Sequence, residues 1–353
     1  MEQAEILKVI APANARAAGE ALVKTTPIRR FRMKTLAAML AVLAIGAAPL
    51  TASAWTDKPV KFIVPAPAGG GVDVVARVLA DQLSGDIGQP VIVENKPGAG
   101  GAIAVQAMKS APADGQTVLI LLSALLTEVP LVMKTTFDPF KDVTPVTMTC
   151  RQNLVLVTAA SMPAVDTKGL VDYLKTAKEG KGSFATYSAG TASHYAGVMF
   201  ANKAGLDMQH VPFQGSPPAE MQLMGGQVDI MFDGVGAALP YIKGGKIKPY
   251  AVTSKTRSVH LPDVPTTAEA GFPEIVASTW IGTAVSPKVP ADLVAKINSA
   301  VVKAAKSPKV RDRLTANGCE PEISESPEKL AQTVKADYEH NAQIVKTHNI
   351  QLN

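Results

Sequence analysis

An apolar strand, a glycine turn and a helix follow one another repeatedly along this chain, and this order constrains the fold more than any other feature. The first unit has a strand at residues 60–64, a turn at 65–71 and a helix from Asp73. The second has a strand at 91–94 and a turn at 97–101 that leads into a helix. Alternating strands and helices predict an α/β fold with a mostly parallel sheet, whose ligands bind beyond the carboxyl ends of the strands.

The middle of the chain offers the same arrangement again. A strand at 184–187 ends in the small-residue turn 188–193, and a helix follows at 194–204. Another turn at 214–218 opens a helix that precedes a buried strand at 228–232. No low-complexity linker separates the two regions, so we expect the chain to cross between two domains on short ordered strands, as in a hinged clamp.

The N-terminal segment has the pattern of a secretory signal peptide at about residues 33–54. Four basic side chains precede an apolar run at 36–50, and this run of 15 residues is shorter than the ~20 that a membrane-spanning helix needs. Small residues follow it, which predicts cleavage after Ala54 and a periplasmic mature protein. Either Met1 or Met33 could be the start of translation.

Composition indicates a well-packed protein without a polyanionic partner. Of the 353 residues, 47% are hydrophobic and 18% are charged, which is sufficient for two cored domains. The net charge is +5, but residues 1–54 contribute seven basic and three acidic side chains, a net +4. The remainder gives no support to nucleic acid or an anionic membrane as a partner, and no later stretch is apolar enough to embed the mature protein in a bilayer.

The sequence lacks the motifs of nucleotide and metal sites. Neither glycine turn fits the Gly-x-Gly-x-x-Gly fingerprint, because the sixth positions hold Val74 and Ile103. The five histidines are scattered, and Cys150 and Cys319 form no paired ligand motif, so we expect no metal and no cofactor. In an oxidising compartment these two cysteines either pair or remain thiols, and the sequence leaves both possibilities open.

Three side chains in the middle turn could suggest a hydrolase. His194 lies beside Ser193 and Thr191, but no Gly-x-Ser-x-Gly elbow surrounds either hydroxyl. We therefore predict that the protein is not an enzyme. Asp73 is placed to cap its own helix, whereas Asp233 could orient a ligand hydroxyl or support a turn.

The glycine turns in both halves favour an anion site built from the backbone. Glycine lets N–H groups approach a ligand closely, and the free amides at the start of a helix favour negative charge. A carboxylate fits this description. The alternative is that each turn only leads into its helix.

Several stretches taken together resemble one known family. They lie at residues 65–77, 93–101, 210–216, 225–233, 238–245 and 261–273. On these motifs the chain resembles the Bug family, the extracytoplasmic solute receptors of tripartite tricarboxylate transporters. The resemblance implies a periplasmic-binding-protein-like Venus flytrap of two Rossmann-like domains joined by hinge strands, with domain 1 at 55–153 and 280–353 and domain 2 at 154–279.

The resemblance also implies what the protein does. A small carboxylate would be captured between the two domains and delivered to the membrane transporter subunits, and we expect a monomeric receptor. A membrane sensor kinase is the alternative partner. The predicted ligand-binding residues of domain 1 are Ala66, Gly69, Gly70, Gly71, Val72, Asp73 and Ser123. Those of domain 2 are Tyr187, Ser188, Gly190, Thr191, Ser193, His194, Gly215 and Asp233.

Three positions depart from the usual first loop of the family. The family usually has Phe, Pro and Thr where this chain has Ala66, Ala68 and Val72. After the strand at 117–122 the family usually continues with small polar residues, whereas residues 123–128 read Ser-Ala-Leu-Leu-Thr-Glu. We therefore expect a roomier and more apolar pocket than usual, suited to an aromatic or longer aliphatic acid.

Overall fold

Nine strands make up the sheet in the part of the chain that the computed structural model describes, residues 55–176 and 178–352. The predicted signal peptide lies outside these residues. The strands are β1 (Val60–Val64), β2 (Val91–Asn95), β3 (Thr117–Leu122), β4 (Thr144–Ala159), β5 (Lys181–Thr186), β6 (Asp207–Pro212), β7 (Ile230–Gly234), β8 (Ile247–Val252) and β9 (Ser278–Val285).

Helices connect and cover these strands. They are α1 (Gly71–Ile87), α2 (Ala102–Ser110), α3 (Ala124–Thr127), α4 (Val129–Val132), α5 (Thr167–Thr176), α6 (Ala192–Ala204), α7 (Ser216–Met224), α8 (Val235–Lys243), α9 (Ala291–Lys306), α10 (Pro308–Ala316) and α11 (Pro327–His348). A 3₁₀ turn at Ala99–Gly101 precedes α2.

The strand order is β2-β1-β3-β9-β4-β7-β5-β6, and β8 pairs with the free side of β4. Strands β1 to β3 are parallel, as are β5 to β7, whereas β4 and β9 run antiparallel to their neighbours. Strand β4 pairs with β9 through Asn153 and with β7 from Leu154. We call the part built on β1, β2, β3, β9 and the start of β4 the first lobe, and the part built on β5 to β8 and the end of β4 the second lobe.

Each lobe buries both faces of its sheet. In β1, Phe62 packs with α1 and α9, whereas Ile63 points to the opposite core with α2 and α11. In β7, Phe232 and Met231 likewise face different cores. Parallel strands covered on both faces are apolar throughout rather than alternating, which explains why these strands are recognisable as short continuous apolar runs. The predicted α/β fold of two domains is confirmed by this architecture.

The antiparallel strands that join the lobes were predicted only in part: a crossing on short ordered strands was expected, but neither β9 nor the first ten residues of β4 was assigned as a strand. Strand β9 and the first ten residues of β4 combine threonines, a glycine and apolar residues, so neither has a pattern that separates strand from loop. Helix α10 was not predicted either. These strands form because each is the other's hydrogen-bonding partner, a long-range pairing that local sequence does not encode.

A disulfide links Cys150 of β4 to Cys319, which follows α10. The sequence had left this pairing open, because 169 residues separate the two cysteines. The main chain holds them together: Arg151 N–H donates to Glu320 O and Glu320 N–H donates to Arg151 O, each at 2.8 Å. Within the described chain, no helix combines the length and the apolar character needed to cross a membrane.

Candidate functional site

A cavity of about 110 Å³ lies between the two lobes, where turns from both meet. In the first lobe β1 and β2 are parallel neighbours, so the turns that follow their carboxyl ends lie side by side. In the second lobe the same holds for β5 and β6. The cavity is lined by Pro65, Ala66, Pro67, Gly70, Gly71, Val72, Pro97, Gly98, Gly100, Gly101, Leu122, Ala124, Leu125, Val129, Tyr187, Ser188, Thr191, Gln214, Gly215 and Ser216.

Two glycines allow this close approach of backbones. Gly215 has φ +111°, and a Cβ built on it would lie 2.5 Å from Cγ of Pro67, a residue of the opposite lobe. Gly101 has φ +91°, and a Cβ there would collide with the side chain of Leu125. Both positions therefore require glycine for conformation and for space.

Asp73 holds the first turn in place. Its carboxylate accepts hydrogen bonds from Gly69 N–H, from Arg77 Nε and from Asn95 Nδ2, each at 2.9 Å. Asn95 also donates to Ala66 O at 2.9 Å, which ties the end of β2 to the turn. Burial opposes ionisation, but these hydrogen bonds and the Arg77 charge keep the pKa of Asp73 below its usual value. Asp73 is thus a buried scaffold of the turn and does not line the cavity.

The backbone amides of the turns fall into two groups. Gly69 donates to Asp73, Gly70 donates to Pro67 O at 3.3 Å, and Gly215 donates to Tyr187 O at 2.7 Å, so these three glycine amides are used within the protein. The cavity-lining amides that find no acceptor among the described residues include those of Gly71, Val72, Ser188, Thr191 and Ser216. Gly71 and Ser216 begin α1 and α7, so their positive helix ends lie at the cavity.

Hydroxyl groups of the second lobe add polar character. Thr191 Oγ1 donates to Ser188 O at 2.8 Å, which shapes the turn before α6. The buried hydroxyl of Tyr187 faces the Thr191 side chain and the Ser193 amide without a well-aligned hydrogen bond to either. Burial, reinforced by the nearby Glu128 carboxyl group, raises the pKa of Tyr187, so its hydroxyl remains a donor.

The Ser216 hydroxyl is bound by the buried Asp233, which lies beside the buried Glu220. Ser216 Oγ donates to Asp233 Oδ1 at 2.6 Å, and Gly234 N–H donates to the same oxygen at 2.8 Å. Asp233 and Glu220 are buried against each other, and burial raises the pKa of both carboxyl groups. Asp233 therefore orients a cavity-lining hydroxyl while itself lying outside the cavity.

The stacked histidines supply no positive charge to the site. The rings of His194 and His210 lie 4.1 Å apart, and Thr186 Oγ1 lies 2.8 Å from His210 Nε2. Burial, with repulsion from His210, lowers the pKa of His194 to about 3, and burial lowers that of His210 to about 4. Both imidazoles are neutral at physiological pH.

Of the fifteen predicted ligand-binding residues, eight line the cavity: Ala66, Gly70, Gly71, Val72, Tyr187, Ser188, Thr191 and Gly215. The others surround it. Ser193 Oγ donates to Phe232 O at 2.6 Å, and Ser123 pairs through its backbone with Trp280. Gly69, Asp73, Gly190, His194 and Asp233 also support the turns without lining the cavity. Ligand contact stays a prediction for all fifteen.

Sequence reasoning missed several parts of the wall. Gln214 and Ser216 line the cavity, although only Gly215 of their turn was predicted. The turn at 97–101 was recognised but not assigned to the site, although its place after a strand parallel to β1 was the available signal. The apolar wall of Leu122, Ala124, Leu125 and Val129 gave no signal of its own, because apolar residues after a strand are more often core. Among residues 55–176 and 178–352, no lysine, arginine, aspartate or glutamate lines the cavity.

Two α/β lobes with a cavity between facing helix-opening turns define the class of two-domain solute-binding proteins. Within that class, residues 75–350 match the family of tripartite tricarboxylate transporter receptors, and the chain belongs to this family. The resemblance seen in the sequence is thereby confirmed. Protein BugT of Bordetella pertussis is 33% identical over 308 residues, which is 87% of this chain and 94% of BugT.

Two solved structures of Rhodopseudomonas palustris proteins are similar throughout. MatC, solved with bound malate, is 31% identical with a TM-score of 0.76 and covers 82% of this chain and 99% of its own. A second protein, solved with adipate, is 29% identical with a TM-score of 0.80 and covers 84% of this chain and 99% of its own. These scores extend the likeness to the arrangement of the whole described chain.

Proposed function

We propose that this protein is a periplasmic receptor that captures a small carboxylate between its lobes and delivers it to a tripartite tricarboxylate-type transporter, without catalysing a reaction. The observation that carries the proposal is the set of unpaired amides from both lobes, around a cavity that no charged side chain of the described residues lines. Converging N–H donors in a site of low dielectric constant can bind a carboxylate without a lysine or an arginine.

The proposed site residues act in two ways. Gly71 and Val72 of the first lobe, and Ser188, Thr191 and Ser216 of the second, would donate amide hydrogen bonds to the ligand. Of the remaining predicted residues, Ala66, Gly70, Tyr187 and Gly215 would line the pocket. The others would hold the turns, as Asp73 does for the first turn and Asp233 for Ser216. A ligand that binds both lobes stabilises the closed arrangement by the difference in its affinity for the closed and open forms.

The proposed hinge lies where the chain passes between the lobes. We place it at Asn153 and Leu154 of β4 and next to Ser278 at the start of β9, within two residues of the boundaries expected from the sequence. The support is that β4 changes its pairing partner from β9 to β7 between these residues. Rotation about two adjacent strands opens a cleft while each sheet remains intact.

The proposed ligand is an aromatic or longer aliphatic acid. Its support is the apolar wall formed by Pro65, Pro67, Leu122, Leu125 and Val129, against which a hydrocarbon chain or ring can pack. The similar protein solved with adipate shows that a six-carbon acid can be a ligand within this fold. A compact acid with several charges would leave much of this wall in contact with polar groups.

A thermal-shift screen of the protein that begins at Trp55 tests this proposal. The panel contains adipate, benzoate, malate, citrate and glutamate. We expect adipate or benzoate to raise the melting temperature most, because a ligand that binds only the native state stabilises it by about 2.7 kcal/mol at a hundredfold excess over Kd. A preference for citrate would contradict the predicted ligand class, and no shift with any carboxylate would contradict the receptor function.

A further inference from the structure

Glu128 lies where the two lobes meet, in the wall of a second cavity of about 190 Å³ that Ser278 beside the proposed hinge also lines. It belongs to the first lobe, in the turn between α3 and α4, and only 3% of it is exposed. Helix α6 of the second lobe lies against it. Tyr195 Oη donates to Glu128 O at 3.1 Å, and the Glu128 carboxyl group faces the amide of Ala192 at the first residue of α6.

No cation of the described residues forms an ion pair with this carboxyl group. Its Oε2 is buried without a hydrogen-bond partner among the described residues. The guanidinium of Arg151 borders the same cavity of about 190 Å³, but it is bound to Glu322 through Nε at 2.8 Å and Nη2 at 3.1 Å. A buried carboxylate without a partner is so costly that the neutral acid is preferred.

The other groups that face Glu128 do not make its ionised form the preferred one. Helix α11 contributes Asp337, whose negative charge opposes the ionisation of Glu128, and His340, which lines the same cavity. The second lobe contributes the hydroxyls of Tyr187 and Tyr195, whose pKa values are both raised. Burial is the largest cause, the Ala192 amide partly offsets it, and the pKa of Glu128 rises to about 8.

The burial of Glu128 depends on the second lobe. Ala192, Tyr195, Ala196 and Met199 of α6 form one wall of the cavity that it borders. An apolar cluster that includes Val132 of α4 and Tyr195 of α6 seals the same contact. If α6 moved away with its lobe, water would reach the carboxyl group, which would then ionise at neutral pH like an ordinary glutamate.

We propose that Glu128 is a proton-linked latch between the lobes: it is protonated when α6 closes on it and ionised when the lobes separate. Capture of the ligand therefore takes up one proton from solution. This inference rests on the proposed function, because the ligand is what closes the lobes. Helix α6 follows the turn that carries Ser188 and Thr191, so the latch acts on the ligand site through the position of that turn and does not touch the ligand.

The sign of the pH dependence follows from linkage. The closed form retains the proton up to a higher pH than the open form, so raising the pH between about 4.5 and 8 favours the open form. Ligand affinity is expected to fall over this range, with the dissociation constant rising by at most about tenfold per pH unit. Below the pKa of the ligand's carboxyl groups, protonation of the ligand also changes its affinity. Comparison of the wild type with E128Q separates this effect from that of Glu128.

Calorimetry of adipate binding at pH 6.5 in two buffers of different ionisation enthalpy counts the protons directly. If adipate gives no thermal shift, the panel acid with the largest shift takes its place. We expect the wild-type protein to take up close to one proton per ligand, E128Q to take up none, and the dissociation constant of E128Q to be independent of pH from 6.5 to 8. The matched control E339Q changes an exposed glutamate of α11 and should behave like the wild type.

The outcomes of this experiment distinguish failure of the latch from failure of the receptor function. Binding without proton uptake, or equal uptake by wild type and E128Q, overturns the latch and leaves the receptor function intact. If no carboxylate binds, the receptor function fails and the latch fails with it. Should E128Q not fold, D337N tests the same point: loss of the Asp337 charge should move the midpoint of proton uptake to lower pH, and an unchanged midpoint would argue against the latch.

Discussion

At the scale of single residues, the site depends on positions where a side chain is absent. Gly215 of the second lobe lies against Pro67 of the first, and the space between them is too small for a methyl group. The glycine is also held at φ +111°, where other residues are strained. This contact forms between the two lobes at the cavity. We therefore expect a substitution of Gly215 to affect closure of the lobes more than the folding of either lobe.

We predict that Gly215→Ala weakens ligand binding by roughly tenfold or more, because forcing a methyl group into a packed contact costs about 1–3 kcal/mol. Gly226→Ala is the matched control, since Gly226 also has positive φ, at +68°, but has open space around it. Both variants should lose about 1 kcal/mol of stability from backbone strain. Calorimetry with adipate separates them, and equal affinities would contradict the assigned contact.

At the scale of secondary-structure elements, the disulfide fixes the segment after α10 to β4 three residues before the proposed hinge. That segment supports the second lobe as well. Gly236 at the start of α8 lies so close to Asn317 O that a Cβ would collide with it. The disulfide thus keeps this C-terminal segment of the first lobe in contact with α8 of the second lobe.

Removal of the disulfide in the double variant Cys150→Ala and Cys319→Ala should lower the free energy of unfolding by roughly 2–5 kcal/mol, because the bond closes a long loop and restricts the unfolded chain. Urea unfolding of the wild type with and without dithiothreitol measures the effect. The double variant should unfold at the same urea concentration in both conditions. An unchanged midpoint for the reduced wild type would refute the predicted contribution.

At the scale of the whole molecule, the described chain begins with an anchored residue. Trp55 is buried, and its Nε1 donates to Gly115 O at 3.1 Å. The predicted cleavage after Ala54 would leave this tryptophan as the first residue of the mature protein. Processing at that position would therefore remove the predicted signal peptide and keep Trp55, which packs in one core cluster with Phe62.

We predict that expression of the full chain in a Gram-negative bacterium gives a periplasmic monomer whose first residue is Trp55. Mass spectrometry of the periplasmic fraction and light scattering after size exclusion measure these two properties. A protein that begins at Val60 lacks the Trp55 anchor and should melt at a lower temperature. Retention in the cytoplasm, a different N-terminus or a stable dimer would each contradict one of these expectations.

The parallel parts of the sheet and the turns of the site could be predicted from the sequence. A fully buried parallel strand is a continuous apolar run, and Pro-Gly-rich segments after such runs mark the edge where ligands bind. For this reason β1, β3 and the turns at 65–71 and 97–101 were recognised directly. The family motifs extended this prediction to the fold and to the class of protein.

The sequence by itself determined the class of fold, the family and the use of backbone turns, because these depend on local patterns of apolar residues and glycine. Only the tertiary structure decided which amides remain free, that Cys150 pairs with Cys319, and that β4 and β9 carry the chain between the lobes. It also decided that Oε2 of Glu128 is buried without a hydrogen-bond partner among the described residues. Each of these depends on contacts between residues far apart in the chain, and burial and pairing are properties of those contacts rather than of a residue and its neighbours.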